Sequence, residues 1–377
     1  MKVLHLGKFY PPEPGGIETA TQELAREQVR RGYQVEVLCA SRSLRTQVDP
    51  PCSEEPGVVR AGSLASLNSV SISPVMIAEF TRRARKADIC HVHMPDPMAA
   101  LAVRWAEPRV PLILHWHSDV VRQRMAYRLY RPLERWLLSR ADAVIATSQA
   151  YAKASEPLRP WSQKVAVVPL GISDPMAQID PSEVARVRGR VGGPFVFSIG
   201  RMAWYKGFDV LVRAAAQLPS DVRVVIGGSG GMLPSLREQV RSLGLQDRVF
   251  LLGEMTRQDV VHFHAAAEGL CLPSTARAEA FGLSLLESMA HGKPSVVSGI
   301  DGSGVGWVHQ DGVTGSTVPP LGVEPLALAL CRMMKDPHWR ASCGAAARSR
   351  YLEAFTAQHM AEGVESVYRR ALAASRC

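Results

Sequence analysis

At 377 residues the chain is longer than one hydrophobic core usually serves, so two domains are expected. Its 46% hydrophobic and 21% charged residues are an ordinary globular composition, and no run approaches the roughly 18 uninterrupted apolar residues that span a bilayer. Of the formal charge of +9, residues 1–178 carry +6, with 23 Lys and Arg against 17 Asp and Glu, and no DNA- or RNA-binding motif accompanies it, so nucleic acid is not expected as a partner.

The N-terminal Met-Lys-Val-Leu-His-Leu-Gly is too short for a secretory leader and reads as the first strand, Lys2–Gly7, of a cytoplasmic protein. The loop Tyr10-Pro-Pro-Glu-Pro-Gly-Gly-Ile-Glu18 follows, stiffened by prolines, with Gly15 and Gly16 open to close approach by a phosphate or an acceptor. A helix from about Thr19 to Arg31 and a strand Gln34–Ala40 come next. The polar, Pro-containing stretch Ser41–Gly57 is expected to be a mobile surface loop.

Strands and helices then alternate: Ile89–His93, a helix Met98–Ala106, Leu112–His115, an Arg-rich helical stretch and Ala143–Thr147. Such alternation predicts a parallel sheet with active residues at the carboxyl ends of its strands. His91 and His93 end one strand, and His115-Trp-His117-Ser-Asp119 ends the next. Without a clear third and fourth ligand these pairs read as packing or polar-rim residues rather than a metal site. Seven cysteines with no Cys-x-x-Cys pair indicate neither zinc nor a disulfide framework. Arg122, Arg124, Arg128, Arg131, Arg135 and Arg140 alternate with Met125, Tyr127, Leu129, Tyr130 and Trp136. That pattern fits either a helix lying on an anionic membrane surface or a core-facing helix with a solvated Arg face.

Val165–Ile172 closes the first domain, and residues 173–192 are read as a linker from their prolines and polarity. The second domain opens with strand Phe195–Ile199, followed by Gly200-Arg201, four residues and Lys206-Gly207. Two cations at a strand end and helix entrance make an anion site. Strand Val222–Ile226, the glycine cluster Gly227–Gly231, and strands Val249–Gly253 and Gly269–Pro273 lead to Glu279-Ala-Phe-Gly-Leu-Ser-Leu-Leu-Glu287. From Leu283 the pattern is helical, with Gly292 and Pro294 as its stop. Gly282 at the entrance makes the N-terminus a diphosphate cradle, because the first N–H groups lack internal partners and carry the positive end of the dipole. Glu279 and Glu287 would be repelled by phosphate and are better placed to accept hydrogen bonds from hydroxyls beside it.

Gly15-Gly16, His117-Ser-Asp119, Arg201 with Lys206, and Glu279 with Glu287 occur in an order that resembles glycosyltransferase family 4, retaining enzymes of the GT-B fold. The resemblance implies two α/β, Rossmann-like, doubly wound domains facing an interdomain cleft. Residues 1–175 would bind the acceptor, with about 358–377 returning to them, and residues 190–357 would bind the nucleotide-sugar donor. It implies that Gly15 and Gly16 approach the donor diphosphate, that His117 lies beside the reacting centre with Asp119 on the acceptor side, and that Arg201 and Lys206 grip the leaving diphosphate. Glu279 would meet the transferred sugar and Glu287 the ribose. Amides after Phe281, near Gly282 and Leu283, would hold the distal phosphate, and backbone around Glu254 and Met255 would meet the base.

The segment Trp307-Val-His-Gln-Asp-Gly-Val-Thr-Gly315 resembles that of bacterial polysaccharide mannosyl- and rhamnosyltransferases. It favours a mannose- or rhamnose-like hexosyl group from a GDP-sugar, with a UDP-sugar open, moved to a lipid-linked glycan or surface polysaccharide. No metal or other cofactor is expected. Two other classes share these motifs. A nucleotide-sugar epimerase would act without an acceptor, and a non-catalytic nucleotide-sugar-binding subunit would keep Arg201, Lys206 and Glu287 without turnover.

Overall fold

Apolar runs alternating with amphipathic segments demand strands joined by crossover helices, and the computed structural model builds two units this way. It describes residues 1–67, 70–120 and 124–375. One unit comprises Met1–Gly171 with Ala357–Cys377, the other Ile172–Thr356.

In the first unit the sheet has, among the described residues, the order Val165–Val167, Ala143–Ala146, Leu112–Trp116, Ile89–Met94, Lys2–Leu6, Gln34–Ala40, Gly57–Ala61 and Gln47–Asp49. All neighbours are parallel except the last pair. The inner strands Leu112–Trp116 and Ile89–Met94 are buried along their whole length, as a parallel sheet covered by helices on both faces requires. The C-terminal helix Ala357–Ala374 belongs to this unit and buries Met360, Val364, Val367 and Tyr368.

Three readings of the sequence need correction or completion. The stretch 41–57, expected as a mobile loop, contains the strand Gln47–Asp49, held antiparallel to Gly57–Ala61 with Asp49 paired to Arg60. Residues 173–192, read as a linker, carry the helix Pro181–Val191, started by the Asp180 side chain on the Ser182 amide. Its Val187 and Val191 pack with Phe195, Phe197 and Phe263, so the segment is part of the second unit's core. The Arg-rich stretch is a helix over Arg124–Arg140 that sets Leu137 and Leu138 into the core and leaves Met125 and Leu129 exposed. Arg122 and the side chain of Arg124 lie outside the described residues.

The second unit's six described strands are all parallel, in the order Val249–Gly253, Arg223–Gly227, Phe195–Ile199, Gly269–Leu272, Ser295–Ser298, Gly315–Val318. In chain order this is 3-2-1-4-5-6, the doubly wound arrangement whose order reverses between the first and fourth strands. The helix Leu283–Ala290 follows the fourth strand and rests against the long helix Pro337–Ala354. Their close approach depends on Gly344, where a Cβ would stand 2.2 Å from the carbonyl oxygen of Gly292.

This contact inverts an ordinary propensity. Glycine to alanine inside a helix normally stabilises by about 0.5–1 kcal/mol. Gly189→Ala, in the exposed part of Pro181–Val191 with open space around it, should raise the thermal midpoint. Gly344→Ala should lower it, because backbone overpacking costs about 1–3 kcal/mol. Calorimetry of the two variants checks the opposite signs.

Candidate active site

The reversal of strand order brings two loops together at the carboxyl edge of the second sheet. The loop after Phe195–Ile199 carries Arg201 and a 3-10 turn, Trp204–Lys206; the loop after Gly269–Leu272 carries Ser274 and Glu279. The Thr275 amide donates to the Tyr205 carbonyl at 2.7 Å, tying them. Gly207 makes the fit possible: its φ is +66°, and a Cβ there would lie 1.9 Å from the Pro273 carbonyl oxygen.

At the junction Lys206 Nζ lies 2.6 Å from Glu279 Oε2, both side chains nearly buried, and Ser274 Oγ donates to the same oxygen at 2.8 Å. Burial opposes the ammonium charge, but Glu279 beside it, with Tyr205, outweighs burial and nearby Arg201 and holds Lys206 above its ordinary value. Among the described residues these contacts leave Glu279 Oε1 and two Lys206 donors for a ligand. Arg201 is exposed and, among the described residues, has no ion pair.

Helix Leu283–Ala290 starts beside this pair. Gly282 is its N-cap at φ +87°, with no side-chain cap on the first amides, and Ser284 Oγ in the first turn is buried without a partner among the described residues. Phe281 is 3% exposed and packs among Trp307 and Phe355, so its side chain anchors the loop. Glu287, in the second turn, has Oε2 3.6 Å from His264 Nε2, too long for a hydrogen bond. Glu254 is exposed just after Val249–Gly253, and Met255 Sδ reaches within 2.2 Å of where a Cβ on Gly227 would be.

The other predicted residues lie in the first unit. Gly15 caps helix Gly16–Arg30 without a side-chain bond, and the Glu18 carboxylate lies against it, 2.0 Å from a Cβ position on Gly15. A diphosphate at those amides would meet that negative charge. His117, just beyond Leu112–Trp116, is 5% exposed, and its amide donates to the Met94 carbonyl. Asp119 accepts from Trp116 Nε1 at 2.9 Å and Ser155 Oγ at 2.7 Å, so it braces the His117 loop. Ser284 and His264 escaped the reading of the sequence: only its spacing from the Glu pair could have flagged the serine, and nothing local flags His264.

Residues 14–174 match the family Glycosyltransferase Family 4, and residues 183–350 match Glycosyl transferases group 1. The chain is 31% identical to the O-antigen chain mannosyltransferase C of Escherichia coli, over 98% of each chain. It belongs to glycosyltransferase family 4. This glycosyltransferase is also 32% identical to the D-rhamnosyltransferase WbpZ of Pseudomonas aeruginosa, over 95% of its own length and 93% of that relative's. It shares its GT-B fold with Anabaena Alr3699/HepE, solved in complex with UDP-glucose, at a TM-score of 0.78 and 22% identity, covering 98% of this chain and 100% of that one.

The buried pair generates a signed prediction. Lys206→Met leaves a carboxylate buried without its cation, which should cost about 3–5 kcal/mol near pH 8. Denaturant unfolding of the variant checks this; an unchanged midpoint would show that the pair does not hold the two loops together.

Proposed function

We propose that the protein is a retaining, metal-independent hexosyltransferase that moves a mannose- or rhamnose-like sugar from a nucleotide diphosphate, GDP in preference to UDP, to a lipid-linked glycan or surface polysaccharide. The observation that carries this reading is the meeting of Arg201, Lys206, Glu279 and the glycine-opened helix at the strand-order reversal. The full-length likeness to an O-antigen chain mannosyltransferase and a D-rhamnosyltransferase supports the choice of sugar and acceptor.

In this reading the diphosphate lies over the amides after Gly282, with Arg201 and Lys206 taking up the charge that grows on it as the bond from the anomeric carbon breaks. Arg201 and the buried Lys206 would together supply the neutralisation that a divalent ion supplies elsewhere. Glu279, released in part from Lys206, accepts from a hydroxyl of the transferred sugar, and Glu287 from the ribose. The acceptor oxygen bonds to the anomeric carbon on the face the diphosphate leaves, and its proton passes to the departing phosphate oxygen. His117 stands on the acceptor side.

Thermal unfolding with GDP, UDP, ADP and CMP tests the donor site. A nucleotide at 100 times its dissociation constant adds about 2.7 kcal/mol, a visible shift. GDP should give the largest shift, and Arg201→Ala and Glu287→Ala should each reduce it. No shift with any nucleotide at millimolar concentration would overturn the reading, and a larger shift with UDP would reassign the base.

We also propose that the first unit touches an anionic membrane surface through the Arg-rich helix. Among the described residues no helix is long and apolar enough to cross a membrane. Met125 and Leu129 are 77% and 85% exposed beside exposed Arg128 and Arg135, and Trp105 stands 77% exposed on the neighbouring helix Pro97–Ala106. Each surface Arg contributes about 1 kcal/mol toward an anionic leaflet. The protein should therefore float with phosphatidylglycerol vesicles at low salt, and Arg128→Glu with Arg135→Glu should abolish flotation. Equal flotation of the double variant would remove the membrane from the proposal.

A further inference from the structure

Five histidines collect inside the first unit, where the reading of the sequence saw only isolated pairs. His5, His91, His93 and His115 lie on three adjacent strands, with His5 in register with His91 and His93 with His115; His117 follows two residues on. Spacing by two keeps the side chains of one strand on one face. All five are at most 5% exposed, and their rings stack, His115 on His117 at 4.2 Å between centroids. Helices Gly16–Arg30 and Ala357–Ala374 bring Gln28 and Tyr368 to the same place.

These seven side chains form one hydrogen-bonded chain with two arms. In the first, Gln28 Oε1 meets His5 Nε2 at 2.7 Å, His5 Nδ1 meets His93 Nε2 at 3.0 Å, and His93 Nδ1 meets His117 Nε2 at 2.9 Å. In the second, Gln28 Nε2 donates to Tyr368 Oη at 3.1 Å, Tyr368 meets His91 Nδ1 at 2.5 Å, and His91 Nε2 meets His115 Nδ1 at 3.2 Å. The chain ends at His117 Nδ1 and His115 Nε2, both buried without a partner among the described residues.

Burial keeps the rings uncharged: it lowers His5 to about 4 and His117 to about 3, and holds His91, His93 and His115 well below the ordinary range. A neutral imidazole has one N–H and one lone pair, and the bond at one nitrogen decides the state of the other. The Gln28 carbonyl therefore requires N–H at His5 Nε2, which leaves a lone pair at Nδ1 to accept from His93, and the same step repeats to His117. His117 is left with a bare lone pair at Nδ1. On the other arm the Gln28 amide donates to Tyr368, whose buried hydroxyl proton is satisfied by donating to His91 Nδ1, and His115 then ends with N–H at Nε2. All five rings share one tautomer. Turning the Gln28 amide over would reverse all five together.

We infer that Gln28 is a positioning residue that sets, through His5 and His93, which nitrogen of His117 carries its proton, so that Nδ1 offers a lone pair to a hydroxyl of a bound saccharide. The inference rests on the reading of His117 as an acceptor-side residue. Its chemical consequence is selective: a lone pair accepts from a hydroxyl but has nothing to give a phosphate oxygen, so this arrangement prefers a neutral, hydroxylated group at His117. A metal is the competing use of the cluster, since the nitrogens of His5, His91 and His93, and of His93, His115 and His117, fall within 4.8 Å. Head-to-tail bonding commits lone pairs to neighbouring N–H groups instead of to one common point.

Long-range proton–nitrogen correlation spectra of the imidazoles in the full chain test this without a ligand, so the result stands apart from whether a nucleotide sugar binds. All five histidines should show the Nε2–H tautomer at pH 7.5. Mixed tautomers among the five, or stoichiometric binding of Zn2+ by the cluster, would overturn the inference. Gln28→Leu and His5→Leu each cut the arm that ends at His117 and should leave it a mixture of tautomers. GDP release from GDP-mannose should slow about tenfold while its KM stays within twofold, the signature of a lost transition-state contact. A His117 that keeps its single tautomer in a folded Gln28→Leu or His5→Leu variant, or unchanged turnover in both, would refute the role of Gln28.

Discussion

Parallel strands deliver every loop that follows them to one edge of a sheet, and a reversal of strand order leaves a gap between two of those loops. In the second unit the gap falls between Phe195–Ile199 and Gly269–Leu272, and the chain fills it with a Lys–Glu pair. A buried ion pair is poor value as a source of stability, because desolvation offsets most of the attraction. Its presence at this edge accords with the binding role proposed for it. The pair keeps a cation charged in a nearly dry place beside a carboxylate, while helix Leu283–Ala290 starts nearby without a side-chain cap.

The first unit uses the same architecture for different chemistry. Its strand order also reverses beside its first strand, between Lys2–Leu6 and Ile89–Met94, and there it buries imidazoles rather than charges. Uncharged histidines are compatible with an interior that excludes water only if each nitrogen is satisfied, and the arms from Gln28 satisfy all but the two terminal atoms. Such a chain is stiff in a particular sense. No ring can change tautomer alone without placing two lone pairs or two protons face to face.

On the proposed reading the two designs suit the two halves of a glycosyl transfer: the second unit's cations and uncapped amides would meet the donor diphosphate, and the uncharged, directional His117 of the first unit would meet a sugar hydroxyl. Membership in glycosyltransferase family 4 gives this division its chemical setting, and the chain's full-length relatives include an O-antigen chain mannosyltransferase and a D-rhamnosyltransferase.

Much of this was legible in the residues themselves. Short apolar runs marked Phe195–Ile199 and Val249–Gly253 to the residue, Gly282 and Gly292 bracketed the Glu helix, and the ordered motifs pointed to the family. Local backbone preference and hydrophobic period are properties of short windows, so a single sequence carries them. The prolines of 173–192 misled because Pro at a helix's first turn and Pro in a linker look alike; only the packing of Val187 and Val191 on Phe263 separates them. Tertiary structure alone decided that Lys206 and Glu279, 73 positions apart, form an ion pair, and that His5, His91, His93, His115 and His117 form one array with Gln28 and Tyr368. The physical reason is that strand neighbours are chosen by the burial of the whole sheet, and a side chain's partner across that sheet leaves no trace in the residues beside it.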